Sequence, residues 1–291
     1  MFRFLPFLAL FVSFASFAEN NEAHTRAAST STPANITPLS DGAALNQAGR
    51  QRMLSERMVK AYIQINSEID SMKAEKQLVH AQQLFAAQLR NLKHYAPTPL
   101  IQDNLGTVEV RWAKLQAALS AEQPADTIEL IAIGEELVAA CHQVVLDIEQ
   151  YANTDSAVLV NVSGRQRMLS QRMAKYYFAH ASGQRQQKVI DGFYRALGEF
   201  EKGLNTLLIA PQNSEEIHFA LSGVEAQLNF SKAGFNRIKS GQYATHVISR
   251  TTESMLKRMN EITGMYERLH DSGELNSSFL LDDHRQMVAA L

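Results

Sequence analysis

The segment Leu45-Asn-Gln-Ala-Gly-Arg-Gln-Arg-Met-Leu-Ser-Glu-Arg-Met-Val-Lys-Ala-Tyr62 returns as Val160-Asn-Val-Ser-Gly-Arg-Gln-Arg-Met-Leu-Ser-Gln-Arg-Met-Ala-Lys-Tyr-Tyr177. Gly49 and Gly164 stand 115 residues apart, and at that offset Asn46, Gly49 to Ser55, Arg57, Met58, Lys60 and Tyr62 all recur. A core stripe tolerates exchange among Leu, Ile and Met, and a solvated face tolerates most polar residues. Here identity extends to three arginines per copy and to a glycine that costs helix stability. The chain is therefore a tandem duplication, and the repeated polar positions point to a specific contact.

The duplication divides 291 residues into two units of ordinary domain size. Helical periodicity runs through both. In the first unit, apolar residues at spacings of three and four predict helices over about 41–72, 74–95, 100–119 and 124–152; the stripe Leu54, Met58, Ala61, Ile65, Ile69 and Met72 marks the first, with Asp41 as its cap. The second unit repeats the plan over about 156–182, 187–208, 214–239 and 243–270, with Gly183, Pro211 and Gly241 between helices. The expected fold is all-α: two tandem antiparallel four-helix bundles, 41–152 and 155–270, joined by a short linker that holds them end to end.

Residues 1–18 combine a basic start, an apolar run too short to span a bilayer and small residues at Ser16 and Ala18, which predicts a secretory signal cleaved after Ala18. Residues 19–40 are rich in Ser, Thr, Asn and Pro and predict a disordered leader; residues 271–291 form a tail with a short amphipathic segment. No later apolar run reaches spanning length, so the chain is expected to be periplasmic or secreted. Its single cysteine, Cys141, excludes an intrachain disulfide and sits among apolar residues as a buried small side chain.

Net charge of −2 disfavours a nucleic-acid partner. None of the nine histidines is paired three or four residues from another, which disfavours a helix-borne metal site, and no phosphate loop or nucleophile elbow stands out. Catalysis, metals and cofactors are not expected.

The arginines carry the functional argument. At 100° per residue Arg52 shares a helix face with Leu45, Gly49, Glu56, Val59 and Ile63, and Arg167 lies on the matching face with Gly164 and Gln171. Small residues one turn before an arginine let a second helix approach and bring guanidinium groups together. Planar donor forks then match a planar oxyanion such as nitrate, nitrite or carboxylate. The plain alternative is that the arginines pair with acidic neighbours such as Glu56, one turn from Arg52.

Asn46-x-x-Ala-Gly-Arg-Gln-Arg-Met-Leu-Ser-x-Arg-Met and its copy from Asn161 resemble the opening helix of the PilJ-type domain, the N-terminal domain of type IV pili methyl-accepting chemotaxis transducers, which is related to NarX-type nitrate and nitrite sensors. The resemblance covers these segments. It implies periplasmic four-helix bundles in which nitrate binds between two such helices across a dimer. By motif position it assigns ligand contact to Arg52 and Arg167, and to Arg57 and Arg172 eight residues after the glycine, with Gly49, Gly164, Asn46 and Asn161 beside them. The implied partners are a small oxyanion and a membrane-bound sensor, chemoreceptor or pilus component. Either Arg52 meets Arg167 within one chain or each motif helix pairs with its copy in a second chain, and the sequence does not choose; a short linker holding the bundles end to end favours the second, hence a homodimer. Glu56, replaced by Gln171 in the second copy, is expected to compete for Arg52 and leave the second copy the better binder. The alternative function is a cell-envelope interaction protein, serving pili or chemoreceptors, that binds nothing small.

Overall fold

The computed structural model describes residues 38–272, so the expected signal, most of the leader and nearly all of the tail lie outside the described residues. Eight helices follow in order: α1 Asp41–Asn66, α2 Ser71–Tyr95, α3 Pro99–Leu119, α4 Thr127–Ala152, α5 Asp155–Ala181, α6 Gln187–Leu208, α7 Glu215–Asn236 and α8 Thr245–Asp271. No strand occurs among the described residues. Helix starts follow from local chemistry. Ser40, Thr98, Asp126, Thr154 and Ser214 each cap the helix that follows by accepting a backbone N–H. Asp41 is thus the first residue of α1 and not its cap; its carboxylate accepts from the Tyr95 hydroxyl at 2.7 Å.

The first helix ends earlier than its apolar stripe. Glu68 and Asp70 take φ of 55° and 50°, which turns the chain and begins α2 at Ser71. Ile69 and Met72 therefore leave the α1 face, and Met72 is largely exposed.

α1 to α4 form one antiparallel four-helix layer and α5 to α8 the other. The two are not stacked end to end, as the short linker suggested. α1 packs along α5, and the eight helices cluster as one unit. α1 is bordered by α2, α4 and α5, and α5 by α6, α8 and α1. Both helices are consequently buried on nearly every side, with Leu54, Met58, Leu169 and Met173 in the core. Such residues contribute about 1.5–3 kcal/mol each on burial. Gly49 lies opposite Gly164 and Lys60 reaches Gln171, so the two helices run in the same direction, in register.

The repeat drifts along the chain. Buried residues of α2 recur 115 positions on, as Phe85 and Phe200 or Leu92 and Leu207; those of α3 recur 116 on, as Trp112 and Leu228; those of α4 recur 118 on, as Leu137 and Met255 or Ile148 and Tyr266. Loop growth between the later helices, three residues in all, leaves the packing equivalences intact.

Candidate functional site

The α1–α5 crossing has no side chain between its backbones at Gly49 and Gly164: a Cβ built on Gly49 stands 3.9 Å from the Gly164 Cα. The same Cβ position lies 3.4 Å from Nη2 of both Arg52 and Arg167. The two guanidinium groups thus flank the crossing, one from each copy.

Both are sealed from water, Arg52 at 1% and Arg167 at 0% exposure. Neither forms an ion pair among the described residues. Arg52 donates through Nη2 to Oδ1 of Asn161 at 2.8 Å and through Nη1 to Nδ1 of His142 at 3.0 Å. Arg167 donates to the Asn46 carbonyl and to Oδ1 of Asn260, both at 3.1 Å. Each arginine is therefore held by the asparagine of the other copy, through the side chain of Asn161 or the backbone of Asn46, and by one neutral group from the fourth helix of its own layer. The Nε atoms of both lack a partner. Each asparagine passes the contact outward, Asn161 to Glu149 at 2.7 Å and Asn46 to Glu267.

Charge at this crossing is costly to bury. Desolvation, then repulsion from neighbouring arginines, pushes Arg52 down to about 9 and holds Arg167 well below the ordinary guanidinium range. His142 is pushed down to about 3 by burial and by Arg52, Arg165 and Arg172. Its Nδ1 therefore stays an acceptor, as a guanidinium donor requires.

A second layer lies one to two turns further along. Glu56 accepts from Nε of Arg172 at 2.6 Å and pairs with Nζ of Lys175 at 2.8 Å. It reaches across to the other copy and leaves Arg52 alone, which overturns its expected role as a competitor. Lys60 donates to Gln171 at 2.8 Å and pairs with Glu253 at 2.6 Å; Arg57 also pairs with Glu253. Arg57 and Arg172 are thus occupied by carboxylates, and of the eight assigned residues the structure gathers only Asn46, Gly49 and Arg52 with Asn161, Gly164 and Arg167 at the crossing. Glu253 stands 118 residues after Glu135, which lies 3.5 Å from Lys175.

The chain matches the family described as type IV pili methyl-accepting chemotaxis transducer N-terminal domain, PilJ, over residues 37–133 and again over 151–238. The chain belongs to the PilJ family. It carries two tandem copies, and PilJ domains are of the periplasmic, signal-receiving kind found in chemotaxis and pilus transducers. No curated protein and no solved structure matches the chain significantly. No described helix is long and apolar enough to cross a membrane.

Pairing of Arg52 with Arg167 within one chain supplies the helix pair that the family resemblance places across a dimer, so the argument for a homodimer from end-to-end bundles falls away. Sequence reasoning passed over His142, Asn260, Glu149, Glu267 and Glu253. All five come from α4 and α8, whose relation at an offset of 118 is hidden from a search at 115. Histidine spacing bears on metal sites, and a neutral acceptor for an arginine has no spacing signature.

Proposed function

We propose that this protein is an exported sensory module that binds a small planar oxyanion, nitrate or nitrite, between Arg52 and Arg167, and acts through a membrane-bound sensor, chemoreceptor or pilus component. One observation carries the reading: two fully buried guanidinium groups flank a glycine–glycine crossing, each with an unpartnered Nε and, among the described residues, no carboxylate at ion-pair distance. Burial of such charge is expensive unless it is paired, and an anion at the crossing would offset the cost for both groups. The neighbouring layer supports this by contrast, because there every buried cation has a carboxylate within reach.

Net charged hydrogen bonds of about 1.5–3 kcal/mol each, less the cost of association, give micromolar to millimolar affinity. The test is calorimetric titration with nitrate and nitrite, with chloride and sulfate as controls at fixed ionic strength. Nitrate binding by the wild type, lost in both Arg52→Ala and Arg167→Ala, supports the proposal. Absence of nitrate binding together with absence of any nitrate-dependent rise in melting temperature refutes it and leaves the arginines as a structural brace in an envelope interaction protein. Export is tested separately, by the N-terminal sequence of the protein recovered from the periplasm.

A further inference from the structure

We infer that the cleft between α1, α2 and α8 is an outer anion site, formed by Arg50 and Lys257 over Asn260, which gathers the anion and hands it to Arg167. The cleft, about 350 Å³, is lined by Arg50, Arg57, His80, Glu253, Lys257 and Asn260 with a few apolar side chains. Its one carboxylate, Glu253, is already held by Arg57 and Lys60. Arg50 has no carboxylate within ion-pair distance among the described residues, and donates to a neutral amide oxygen, Oδ1 of Asn260, at 3.2 Å. That oxygen also accepts from Nη1 of the sealed Arg167 at 3.1 Å. Asn260 is itself exposed. One amide side chain thus separates a guanidinium facing the cleft from one facing the crossing, and its rotation would join the two.

The opposite face shows what a closed version looks like. There Arg165, equivalent to Arg50, is neutralised by Glu199 at 2.9 Å, and Glu199 stands 115 residues after Leu84, an apolar residue of the open cleft. Lys257 has Ala139 as its counterpart 118 residues earlier, and Asn260 has the half-buried His142. Of the two equivalent faces, only the one in front of Arg167 leaves its outer arginine without a carboxylate at ion-pair distance among the described residues, Glu267 acting on Arg50 from further off. Lysine and arginine at a cleft mouth raise the local anion concentration and steer encounter.

This inference rests on reading Arg52 and Arg167 as the inner site, and the test separates the two. Full-length protein labelled with ¹⁵N is titrated with nitrate at fixed ionic strength, following in the cleft the side-chain amide of Asn260, the Nε–H of Arg50 and the backbone amides of α8 around Lys257, and at the crossing the Nε–H groups of Arg52 and Arg167 and the backbone amides of Gly49 and Gly164. Both sets are expected to shift in the wild type. The cleft set should also shift in Gly49→Ala, which fills the crossing and spares the cleft. In Lys257→Gln, and in Lys257→Gln combined with Arg50→Gln, the cleft shifts should vanish, and affinity at the crossing should fall in the double variant by about fourfold at low ionic strength and by less than about twofold near 0.1 M salt, as expected for two charges removed from roughly 10 Å. Cleft shifts in the wild type without any at the crossing sustain the outer site and overturn the inner one. Crossing shifts without cleft shifts overturn the outer site and sustain the inner one. Lys257 is exposed, so its variant tests the charge without risk to the fold.

Discussion

Gly49→Ala separates the anion site from the stability of the fold. The added Cβ would meet Nη2 of Arg52 and Nη2 of Arg167 at 3.4 Å each and the Gly164 Cα at 3.9 Å, all ordinary van der Waals contacts. No helix shift is required. Alanine in a helix interior is favoured over glycine by about 0.5–1 kcal/mol, so the variant should unfold at equal or slightly higher urea concentration. The methyl group nevertheless stands midway between the two guanidinium groups, where nitrate oxygens would sit about 2.8 Å from each. Nitrate at ten times its Kd should stabilise the wild type by about 1.4 kcal/mol, or roughly 3–5 °C in Tm for a protein of this size. Gly49→Ala should lose the stabilisation and the calorimetric binding that belong to the crossing, leaving only the weaker response of the outer cleft. Gly164→Ala is less clean, because its Cβ comes within 3.2 Å of Arg167 Nη2. Affinity retained within twofold in Gly49→Ala would show that nothing binds at the crossing. A loss of more than about 2 kcal/mol of stability would show that the helices cannot accept a methyl group there, and the stated geometry would be wrong.

Glu56→Gln should destabilise by about 3–5 kcal/mol in urea denaturation, since it strands Lys175 and Arg172 without a buried carboxylate; a loss under 1 kcal/mol refutes the pairing. Burial alone would raise the Glu56 carboxyl, but Lys175 and Arg172 outweigh it and hold the group below its ordinary value. Its stabilisation is therefore complete above about pH 4.3 and is lost as pH falls through the lower folded value, and Glu56→Gln should flatten that acid limb. Glu253→Gln should likewise strand Lys60 and Arg57, and adding Gln171→Glu should recover stability by giving Lys60 the carboxylate that Glu56 gives Lys175; a double variant no more stable than Glu253→Gln contradicts the equivalence. His142, pushed down to about 3, favours folding above about pH 6.5 and loses that contribution as pH falls from there towards 3; His142→Asn, copying Asn260, should remove this part of the pH dependence in denaturation series from pH 7 to pH 4.

The helices were legible because periodicity and turn chemistry act locally. α6 begins and ends where the apolar repeat does, and the other helices differ by a few residues, most at the end of α1, where positive φ at Glu68 and Asp70 overrides an apolar stripe that continues. The crossing was half legible. Gly49 and Arg52 on one face, repeated at Gly164 and Arg167, announce two helices that meet, but not whether they meet within a chain. Glu56 misled because spacing along one helix shows which residues are neighbours and not which way a side chain turns. One turn from Arg52 it turns away, to the cations of α5. Gln166 repeats Gln51 yet lacks its partners, because Gly203 stands where α2 offers Gln88. That loss is invisible until α2 and α6 are superposed by packing.

The distribution of carboxylates is the strongest argument that the crossing is kept for a ligand. In the second layer the copies differ by one acid, Glu56 against Gln171, and Lys60 and Arg57 are served by Glu253 on α8, the counterpart of Glu135. A single mutation can place an acid against a buried cation, and at Lys60 the acid is present. Asn161 meets Arg52 through its side-chain oxygen, so aspartate there would set a carboxylate on Arg52, whereas Asn46 meets Arg167 through its backbone carbonyl. Both copies instead hold an amide there, with the glutamates Glu149 and Glu267 beyond it. Aspartate at 161 would neutralise Arg52 in place of an anion, at the cost of the amide that donates to Glu149 and of repulsion between the two carboxylates. If the crossing were only a brace, Asn161→Asp should change stability alone, by the balance of those two effects. If the crossing is kept for an anion, the same variant should also abolish nitrate binding. Titration of Asn161→Asp with nitrate decides between them, and undiminished binding would sink the ligand reading.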